Sequence, residues 1–205
     1  MGRKGSSGRW LHEHHKDEYV LQAQRDGYRS RAVYKLLELL DKEPLIRRGQ
    51  RVLDLGAAPG GWSQVAAKQL GPDGQIVAVD LLEMQPLEGV TFIQGDFRED
   101  DVLEQIFSAM NGKADLVMSD MAPNISGIRS ADQSRSMYLA ELAIDCATQV
   151  LRPGGAFVTK LFHGEGFDLY VKNARSLFRN VKVRKPRASR PRSRETYMVA
   201  TGYEV

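Results

Sequence analysis

The sequence contains one cysteine among 205 residues, Cys146, which excludes an internal disulfide framework. Cys146 lies in "YLAELAIDCATQV", an apolar helical stretch that predicts a small core side chain rather than a nucleophile. No apolar run approaches the length of a membrane span, and the first residues lack the apolar core of a secretory signal peptide. These absences predict a cytoplasmic protein. An organellar location stays open, because the first residues are basic and contain glycine and serine.

Charge is distributed unevenly along the chain. Residues 1–35 contain eight Lys/Arg and four Asp/Glu, whereas residues 36–171 contain eleven Lys/Arg and twenty Asp/Glu. Residues 172–194 contain ten Lys/Arg and no acidic residue. Basic ends that flank an acidic middle favour contact with a polyanion, and we predict that residues 172–194 contact nucleic acid rather than form a merely solvated tail.

Two parts of the chain are predicted. Residues 1–29 read as a basic, weakly structured N-terminal extension, and residues 30–205 as a single domain. The three histidines of the extension, His12, His14 and His15, do not have the spacing of a zinc-binding helix, so no metal is expected.

Strand and helix patterns alternate through residues 30–205. The strands, such as "RVLDLG", "QIVAVDL" and "ADLVMSDM", are nearly continuous apolar runs. Such runs are typical of a mostly parallel sheet with helices on both faces, and the last two strands predict an antiparallel pair at its edge.

Five of these strands end with an ionisable residue. The residues are Asp54, Asp80, Asp96, Asp120 and Lys160. Lysine is rarely buried without a partner, and Lys160 interrupts the apolar run "AFVTKLF". A lysine at the mouth of a strand can simply extend its ammonium into water. Because ligands of parallel sheets bind beyond the carboxyl ends of the strands, we instead predict that Lys160 belongs to a site there.

The loop "DLGAAPGGWSQ" after the first strand predicts the class of ligand. Gly56, Gly60 and Gly61 would let the backbone turn sharply and approach a ligand, and Pro59 stiffens the turn. The loop has neither the G-x-G-x-x-G pattern of dinucleotide sites nor a Walker lysine, so it suits an adenosyl ligand without phosphates. We expect Asp80 to accept hydrogen bonds from ribose hydroxyls.

Four segments carry a family resemblance. "VLDLGAAPGGWSQ", "SDMAPNISG", "KLFHGEG" and "RPRSRETYMVATGY" occur in this order, and from about residue 30 the chain resembles the FtsJ/RrmJ family of bacterial 23S ribosomal RNA uridine 2′-O-methyltransferases. The resemblance implies a Rossmann-like α/β fold with a seven-stranded sheet. It also implies S-adenosylmethionine as the methyl donor, S-adenosylhomocysteine as the product, and a monomer acting on the large ribosomal subunit.

The resemblance also implies the site residues. The catalytic tetrad would be Lys35, Asp120, Lys160 and Glu195. The methyl donor is expected to bind to residues of the strand ends and the glycine loop: Asp54, Gly56, Pro59, Gly60, Gly61, Trp62, Asp80, Asp96 and Asp120. Asp96 would lie close to the adenine amino group. Trp62 would contribute its backbone if its ring packs in the core.

The tetrad has a chemical rationale. Methyl transfer from a sulfonium is an in-line displacement, so the protein must chiefly align the reacting atoms. A lysine can take the proton of a ribose hydroxyl only when it is neutral, and burial or a nearby cation favours the neutral form. We expect Lys160 to act on the 2′-oxygen as base or as lone-pair director, Asp120 to orient it, and Lys35 and Glu195 to hold the ribose.

Three other functions stay open. One is 2′-O-methylation of transfer RNA or of an organellar ribosomal RNA, and another is an RNA-binding ribosome-assembly factor without essential catalysis. A nicotinamide dehydrogenase is the third, and the missing G-x-G-x-x-G loop argues against it.

Overall fold

Strands and helices alternate along the chain in the computed structural model, which describes residues 17–204. The helices are α1 (Glu18–Arg25), α2 (Val33–Lys42), α3 (Gly61–Leu70), α4 (Asp100–Met110), α5 (Arg129–Val150) and α6 (Phe167–Ala174). The strands are β1 (Arg51–Leu55), β2 (Gln75–Asp80), β3 (Val90–Gln94), β4 (Ala114–Ser119), β5 (Leu151–Phe162), β6 (Phe178–Arg184) and β7 (Glu195–Tyr203).

The strands form one mixed sheet in the order β3-β2-β1-β4-β5-β7-β6. Strands β1 to β5 pair in parallel, whereas β7 lies between β5 and β6 and runs antiparallel to both. This confirms the predicted Rossmann-like α/β class, with a mostly parallel sheet and antiparallel pairing at one side. From β1 the chain adds β2 and β3 on one side of the sheet, and then β4 and β5 on the opposite side of β1. The direction in which strands are added therefore reverses between β1 and β4. A crevice therefore opens at the carboxyl ends between these halves.

Helices cover both faces of the sheet. One face packs against α4, α5 and α6 through side chains such as Ile106 and Tyr170, and the other packs against α2 and α3 through Leu36 and Trp62. Burial on both faces explains why the strands are nearly continuous apolar runs. Cys146 lies in the first of these cores, as predicted, and burial raises the pKa of its thiol to about 12.

Residues 17–29 are ordered, and the prediction of a weakly structured extension is wrong for this part of it. The carboxylate of Asp17 caps α1 by accepting from the Tyr19 amide at 3.1 Å, and it also pairs with Arg31 at 2.6 Å. Val20 and Ala23 are the buried side chains of the helix itself. Capping and burial together stabilise a helix whose charged sequence had suggested none. The remainder of the extension, with its three histidines, lies outside the described residues.

Strand β5 is irregular at Pro153-Gly154-Gly155. Strand β5 already begins at Leu151, which pairs with Ala114, and after a register shift Ala156 pairs with Leu116. Gly154 adopts φ +78°, a conformation that glycine tolerates without strain. Beyond this irregularity, β5 is buried and leads to Lys160 at the carboxyl edge of the sheet.

Candidate active site

The five predicted strand-end residues lie at the carboxyl edge of the sheet. Asp80 ends β2, Asp120 directly follows β4, and Asp96 lies two residues beyond β3. Asp54 and Lys160 lie within β1 and β5, close to the carboxyl end of each strand. Because these strands are parallel, their carboxyl ends meet along one edge, and the residues can serve one site.

A cavity of about 520 Å³ opens at this edge, and we call it the strand-edge cavity. Its walls combine three acidic side chains with a glycine and apolar side chains: Gly56, Asp80, Asp96, Asp120, Leu81, Leu82, Phe97, Met121 and Leu142. Its size and its mostly apolar lining with a few converging polar groups are typical of a small-ligand site. The carboxylates suit ribose hydroxyls and an amino group, so the cavity fits an adenosyl ligand such as S-adenosylmethionine.

Gly56 of the glycine loop after β1 lines the strand-edge cavity, whereas Gly60 lies outside it. Gly56 adopts φ +70°, and a Cβ at this position would lie 2.2 Å from Cγ of Met121. Gly60 adopts φ +101°, and a Cβ there would lie 2.8 Å from Sδ of Met84. The loop is also tied to β2, since the Ala58 amide donates to Asp80 at 2.9 Å. At both positions a larger residue would be strained by the positive φ and would clash with a methionine side chain.

Several predicted donor residues do not line the strand-edge cavity. Asp54, Pro59, Gly61 and Trp62 line a smaller space of about 60 Å³. Gly56 and Asp120 line both this space and the strand-edge cavity. The indole of Trp62 is buried and donates to the Ala32 carbonyl at 2.9 Å. Its ring therefore packs in the core.

Asp54 is a fully buried carboxyl group. It accepts a hydrogen bond from the Ser63 hydroxyl at 2.6 Å, and only 1% of the residue is exposed. Desolvation raises its pKa to about 7, with the charges of Asp120 and Asp80 acting in the same direction.

Asp96 is held by Arg98. The Arg98 Nε lies 2.9 Å from both carboxylate oxygens of Asp96, and its Nη1 lies 3.2 Å from the Tyr138 hydroxyl. The hydrogen bonds from Arg98 lower the pKa of Asp96. A carboxylate has more acceptor positions than one guanidinium fills, so Asp96 can still accept from an adenine amino group.

The four residues of the predicted tetrad form one connected group of ion pairs. The Lys35 ammonium from α2 lies 2.7 Å from Oε1 of Glu195, and Lys160 lies 3.9 Å from Oε2 of that carboxylate. Lys160 Nζ also lies 2.9 Å from Oδ1 of Asp120 and donates to the Asp120 carbonyl oxygen at 2.8 Å. Lysines and carboxylates thus alternate, with Glu195 between the two lysines, while Asp120 borders the strand-edge cavity.

The tetrad is shielded from water. Only 7% of the Lys160 side chain is exposed, and Lys35, Glu195 and Asp120 are 12%, 11% and 17% exposed. Burying four charges is costly, and it is tolerated only where each has a partner at hydrogen-bonding distance. Such clusters at a cavity edge are typical of functional sites.

Two further side chains complete the cluster and were missed in the sequence. The Tyr197 hydroxyl donates to Oδ1 of Asp120 at 2.5 Å, and the Ser189 hydroxyl donates to Glu195 at 2.8 Å. Tyr197 is two residues from Glu195 in a strand, so period-two alternation could have placed it on the same face. Ser189 lies in the basic run "RASRPRSR". A run so rich in arginine predicts an exposed segment, so nothing in the sequence indicated that the Ser189 side chain is buried.

The loop after β4 is fastened to α5. The Asp132 carboxylate accepts from the Ser126 amide at 2.8 Å, from the Ser126 hydroxyl at 2.7 Å and from the Gly127 amide at 3.0 Å. These bonds lower the pKa of Asp132. Ser126 therefore has a turn-forming contact, while Asn124 from the same loop lines the strand-edge cavity.

The basic segment 172–194 is partly neutralised within the protein. Lys182 and Arg184 both pair with Glu43, Arg179 pairs with Glu204, and Arg190 lies 3.5 Å from Asp17. Four exposed basic residues of the segment have no ion-pair partner within residues 17–204: Lys172, Arg175, Lys185, whose ammonium donates to the Ser193 carbonyl at 2.9 Å, and Arg187. The net positive charge of the segment is therefore concentrated on fewer side chains than the sequence suggested.

Two absences concern the described part of the chain. Within residues 17–204, no group of three or more His, Cys, Asp or Glu side chains is arranged to hold a metal ion. No helix in this range has the length and apolar character needed to cross a membrane.

Known proteins resemble this chain over its whole length. A model of the FtsJ-like methyltransferase family matches residues 28–203. A protein of Marinobacter nauticus named ribosomal RNA large subunit methyltransferase E is 60% identical over 206 residues, covering all of both chains. Proteins with the same name from Cellvibrio japonicus and Pseudomonas aeruginosa are each 58% identical over 204 residues. The alignments cover 99% of this chain and 97% and 99% of those proteins.

Solved structures share the fold. A Plasmodium falciparum protein, provisionally assigned as a ribosomal RNA methyltransferase, superposes with a TM-score of 0.76 at 29% identity, covering 86% of this chain and 98% of that one. A chain of the fibrillarin/Nop5p complex superposes with a TM-score of 0.58 at 20% identity over 83% of each chain. The second likeness concerns the fold alone.

Proposed function

The chain belongs to the FtsJ-like methyltransferase family, and on that premise we propose that it methylates the ribose 2′-hydroxyl of a uridine in 23S ribosomal RNA. The relatives' names support ribosomal RNA of the large subunit as the substrate. One observation carries the proposal for the chemistry: Asp120 borders the strand-edge cavity and also binds Lys160. A methyl donor in the cavity and a nucleophile beside Lys160 would then meet at Asp120.

The donor would be held by residues of the strand-edge cavity. Asp80 and Asp96 would accept from the ribose and adenine parts of S-adenosylmethionine, and Gly56 would allow close approach of the backbone. When bound, S-adenosylmethionine supplies an electrophilic methyl group. Asp54 and Trp62 would shape the site from beneath, because both are buried outside this cavity.

Lys160 would act on the 2′-oxygen. Its nitrogen is held by two oxygens of Asp120 and is almost fully buried, so its position is well defined. In this place it can remove the hydroxyl proton or accept a hydrogen bond that directs the oxygen lone pair. Lys35 and Glu195, paired at 2.7 Å, would contact the ribose. A rate that stays constant through neutral and mildly alkaline pH would favour the directing role over the base.

RNA is the substrate class that suits the charges. Phosphates can be bound by unpaired exposed cations such as Lys172, Arg175 and Arg187, without reading of sequence. Together with the basic N-terminal stretch, segment 172–194 would flank the strand that enters the site. All four tetrad residues come from one chain, so we propose a monomer that acts in the cytoplasm on the assembled large subunit.

The test is transfer of labelled methyl from S-adenosylmethionine to undermethylated large subunits, with naked 23S RNA and transfer RNA alongside. Nuclease digestion then locates the label on ribose or base. We expect ribose label on the large subunit, and a loss of about 10²- to 10⁴-fold in rate with Lys160→Ala. Lys113→Ala is the matched control, because Lys113 is an exposed lysine just before β4, at the opposite edge of the sheet.

Other outcomes would replace the proposal. Label on transfer RNA, or on a base, would keep the donor and change the substrate. No label on any RNA, together with a Lys160→Ala protein that still rescues ribosome assembly, would identify an assembly factor.

A further inference from the structure

Tyr197 lies in the middle of the tetrad, although its side chain is completely buried. It pairs with Lys160 in the antiparallel register of β5 and β7. Its hydroxyl donates to Oδ1 of Asp120 at 2.5 Å, and Lys160 Nζ lies 2.9 Å from that same oxygen. One carboxylate oxygen of Asp120 therefore contacts both the Tyr197 hydroxyl and the Lys160 ammonium.

The ring of Tyr197 contacts two more parts of the site. Its centroid lies 5.6 Å from that of Trp62, and the Lys35 ammonium lies 5.8 Å from the Tyr197 centroid, within the range of a cation–π contact. Trp62 in turn donates to the Ala32 carbonyl, one residue before helix α2 begins. Tyr197 thus connects the helix that carries Lys35 to the carboxylate that binds Lys160.

The phenol can act only as a donor towards Asp120. Burial, reinforced by the charges of Asp120 and Glu195, raises the pKa of Tyr197 well above its usual value. The hydroxyl consequently stays protonated at neutral pH. A carboxylate that accepts a short hydrogen bond from a fixed phenol loses much of its freedom to rotate about its terminal torsion.

We propose that Tyr197 is a positioning residue for methyl transfer, which holds the Asp120 carboxylate in the orientation that aims Lys160 at the 2′-oxygen. This inference rests on the proposed function. Without the hydroxyl, Asp120 can turn, and one of the two contacts that fix Lys160 Nζ is lost or displaced. Displacements of about 1 Å from a reactive geometry cost up to about 100-fold in rate.

The experiment compares Tyr197→Phe with Tyr170→Phe in the full chain. Tyr170 is the matched control, because it is also a buried tyrosine whose hydroxyl makes one hydrogen bond, to the Ala140 carbonyl at 2.8 Å, outside the tetrad. Ribose methylation of undermethylated large subunits is measured over a range of S-adenosylmethionine concentrations. We expect kcat to fall about 10- to 100-fold in Tyr197→Phe, with KM for the donor within about twofold of wild type. Tyr170→Phe should retain the wild-type kcat.

Two kinetic results would overturn the inference. The first is a kcat of Tyr197→Phe within about twofold of the Tyr170→Phe value. The second is a rise in KM for the donor as large as the fall in kcat, which would indicate a binding role through Trp62.

A spectroscopic readout separates this inference from the proposed function. Wild-type protein that labels no ribose would refute the proposed function, whatever the variants do. The inference is then decided by the side-chain Cε–Hε NMR signals of Lys160, assigned by their loss in Lys160→Ala. They should shift in Tyr197→Phe and stay in place in Tyr170→Phe, and unchanged signals in both variants would overturn the role of Tyr197.

Discussion

At the scale of single residues, the site is a set of charged and polar groups removed from water. Lys160 has two acceptors on one residue, Asp120, and Glu195 is shared between two lysines. Each ionic contact offsets part of the cost of desolvation, but hydrophobic side chains of similar volume would stabilise the fold at least as well. A gain in stability therefore does not explain the cluster, whereas the chemistry that we propose at the 2′-oxygen does.

Asp54 gives a prediction for stability against pH. Its pKa is about 7 in the folded protein because of burial, well above its usual value of 3.8. The folded state thus binds a proton more tightly than the unfolded state. The resulting stabilisation is complete below about pH 4 and is lost as the pH rises through about 7. The loss should be on the order of a few kcal/mol.

Asp54→Asn should remove this dependence while it keeps an acceptor for the Ser63 hydroxyl. Denaturant unfolding from pH 4 to pH 8 should show equal stability at the acidic end and a more stable variant at the alkaline end. Asp132→Asn is a control of opposite sign. The pKa of Asp132 is lowered by its hydrogen bonds with Ser126, so this variant should lose most stability at neutral pH. Parallel pH curves for wild type and Asp54→Asn would contradict the prediction.

At the scale of elements, strand direction determines which residues enter the site. In the parallel strands β1, β2 and β4, the proposed site residues come at or near the strand's end, as Asp80 and Asp120 do. Strand β7 runs the other way, so its first residue, Glu195, lies at the carboxyl edge and pairs with Phe162. A search for ionisable residues at strand ends finds Asp120 and cannot find Glu195, because it assumes parallel strands.

The loop between β1 and α3 gives a prediction at this scale. Gly56→Ala should destabilise the protein and weaken donor binding, because the new Cβ would meet Cγ of Met121, which lines the strand-edge cavity. Gly89→Ala is the matched control, since Gly89 has a similar φ of +75° and nothing within 4 Å of the added Cβ. Left-handed backbone strain alone should cost about 1–2 kcal/mol in both variants.

Calorimetric titration with S-adenosylmethionine and chemical unfolding distinguish the two variants. Only Gly56→Ala should lose donor affinity, and its loss of stability should exceed that of Gly89→Ala. Equal stability losses with unchanged donor affinity would mean that Met121 moves aside freely.

At the scale of the whole molecule, the charge pattern read from the sequence is modified by folding. The basic segment 172–194 contains ten Lys/Arg residues, yet Arg179, Lys182, Arg184 and Arg190 have carboxylates within ion-pair distance. Exposed pairs contribute little to stability, but they reduce the positive charge that is available for phosphates. Composition alone therefore overestimates the RNA-contacting charge.

Arg187 and Lys182 test this difference. Both are exposed cations of the segment, but the Arg187 side chain has no ion-pair partner within residues 17–204, whereas Lys182 lies 2.9 Å from Glu43. Arg187→Gln should weaken RNA binding and reduce the slope of log Kd against log salt by about 0.7 to 0.9. Lys182→Gln should change the slope less. The measurement is binding of a 23S RNA fragment over a range of salt concentrations, and equal slopes for the two variants would contradict this assignment.

Local sequence signals were enough to predict the fold class, which the structure confirms, and most of the proposed site residues. Apolar periodicity predicted the alternating strands and helices, and strand ends together with the glycine loop predicted Asp80, Asp96, Asp120 and Lys160. These signals are local in the chain, because periodicity and turn chemistry depend on neighbouring residues. Lys35 and Glu195 followed only from the family resemblance, since each looks like an ordinary surface charge in its own segment.

Which side chains share a hydrogen bond or an ion pair follows from the packing of distant segments and could not be predicted from the sequence. The contact of Tyr197 with Asp120 joins residues 77 positions apart, and the pairing of Lys182 with Glu43 joins residues 139 positions apart. The burial that raises the pKa of Asp54 likewise depends on elements packed around β1. Such long-range contacts are created by packing, and packing depends on the whole chain rather than on any one segment of it.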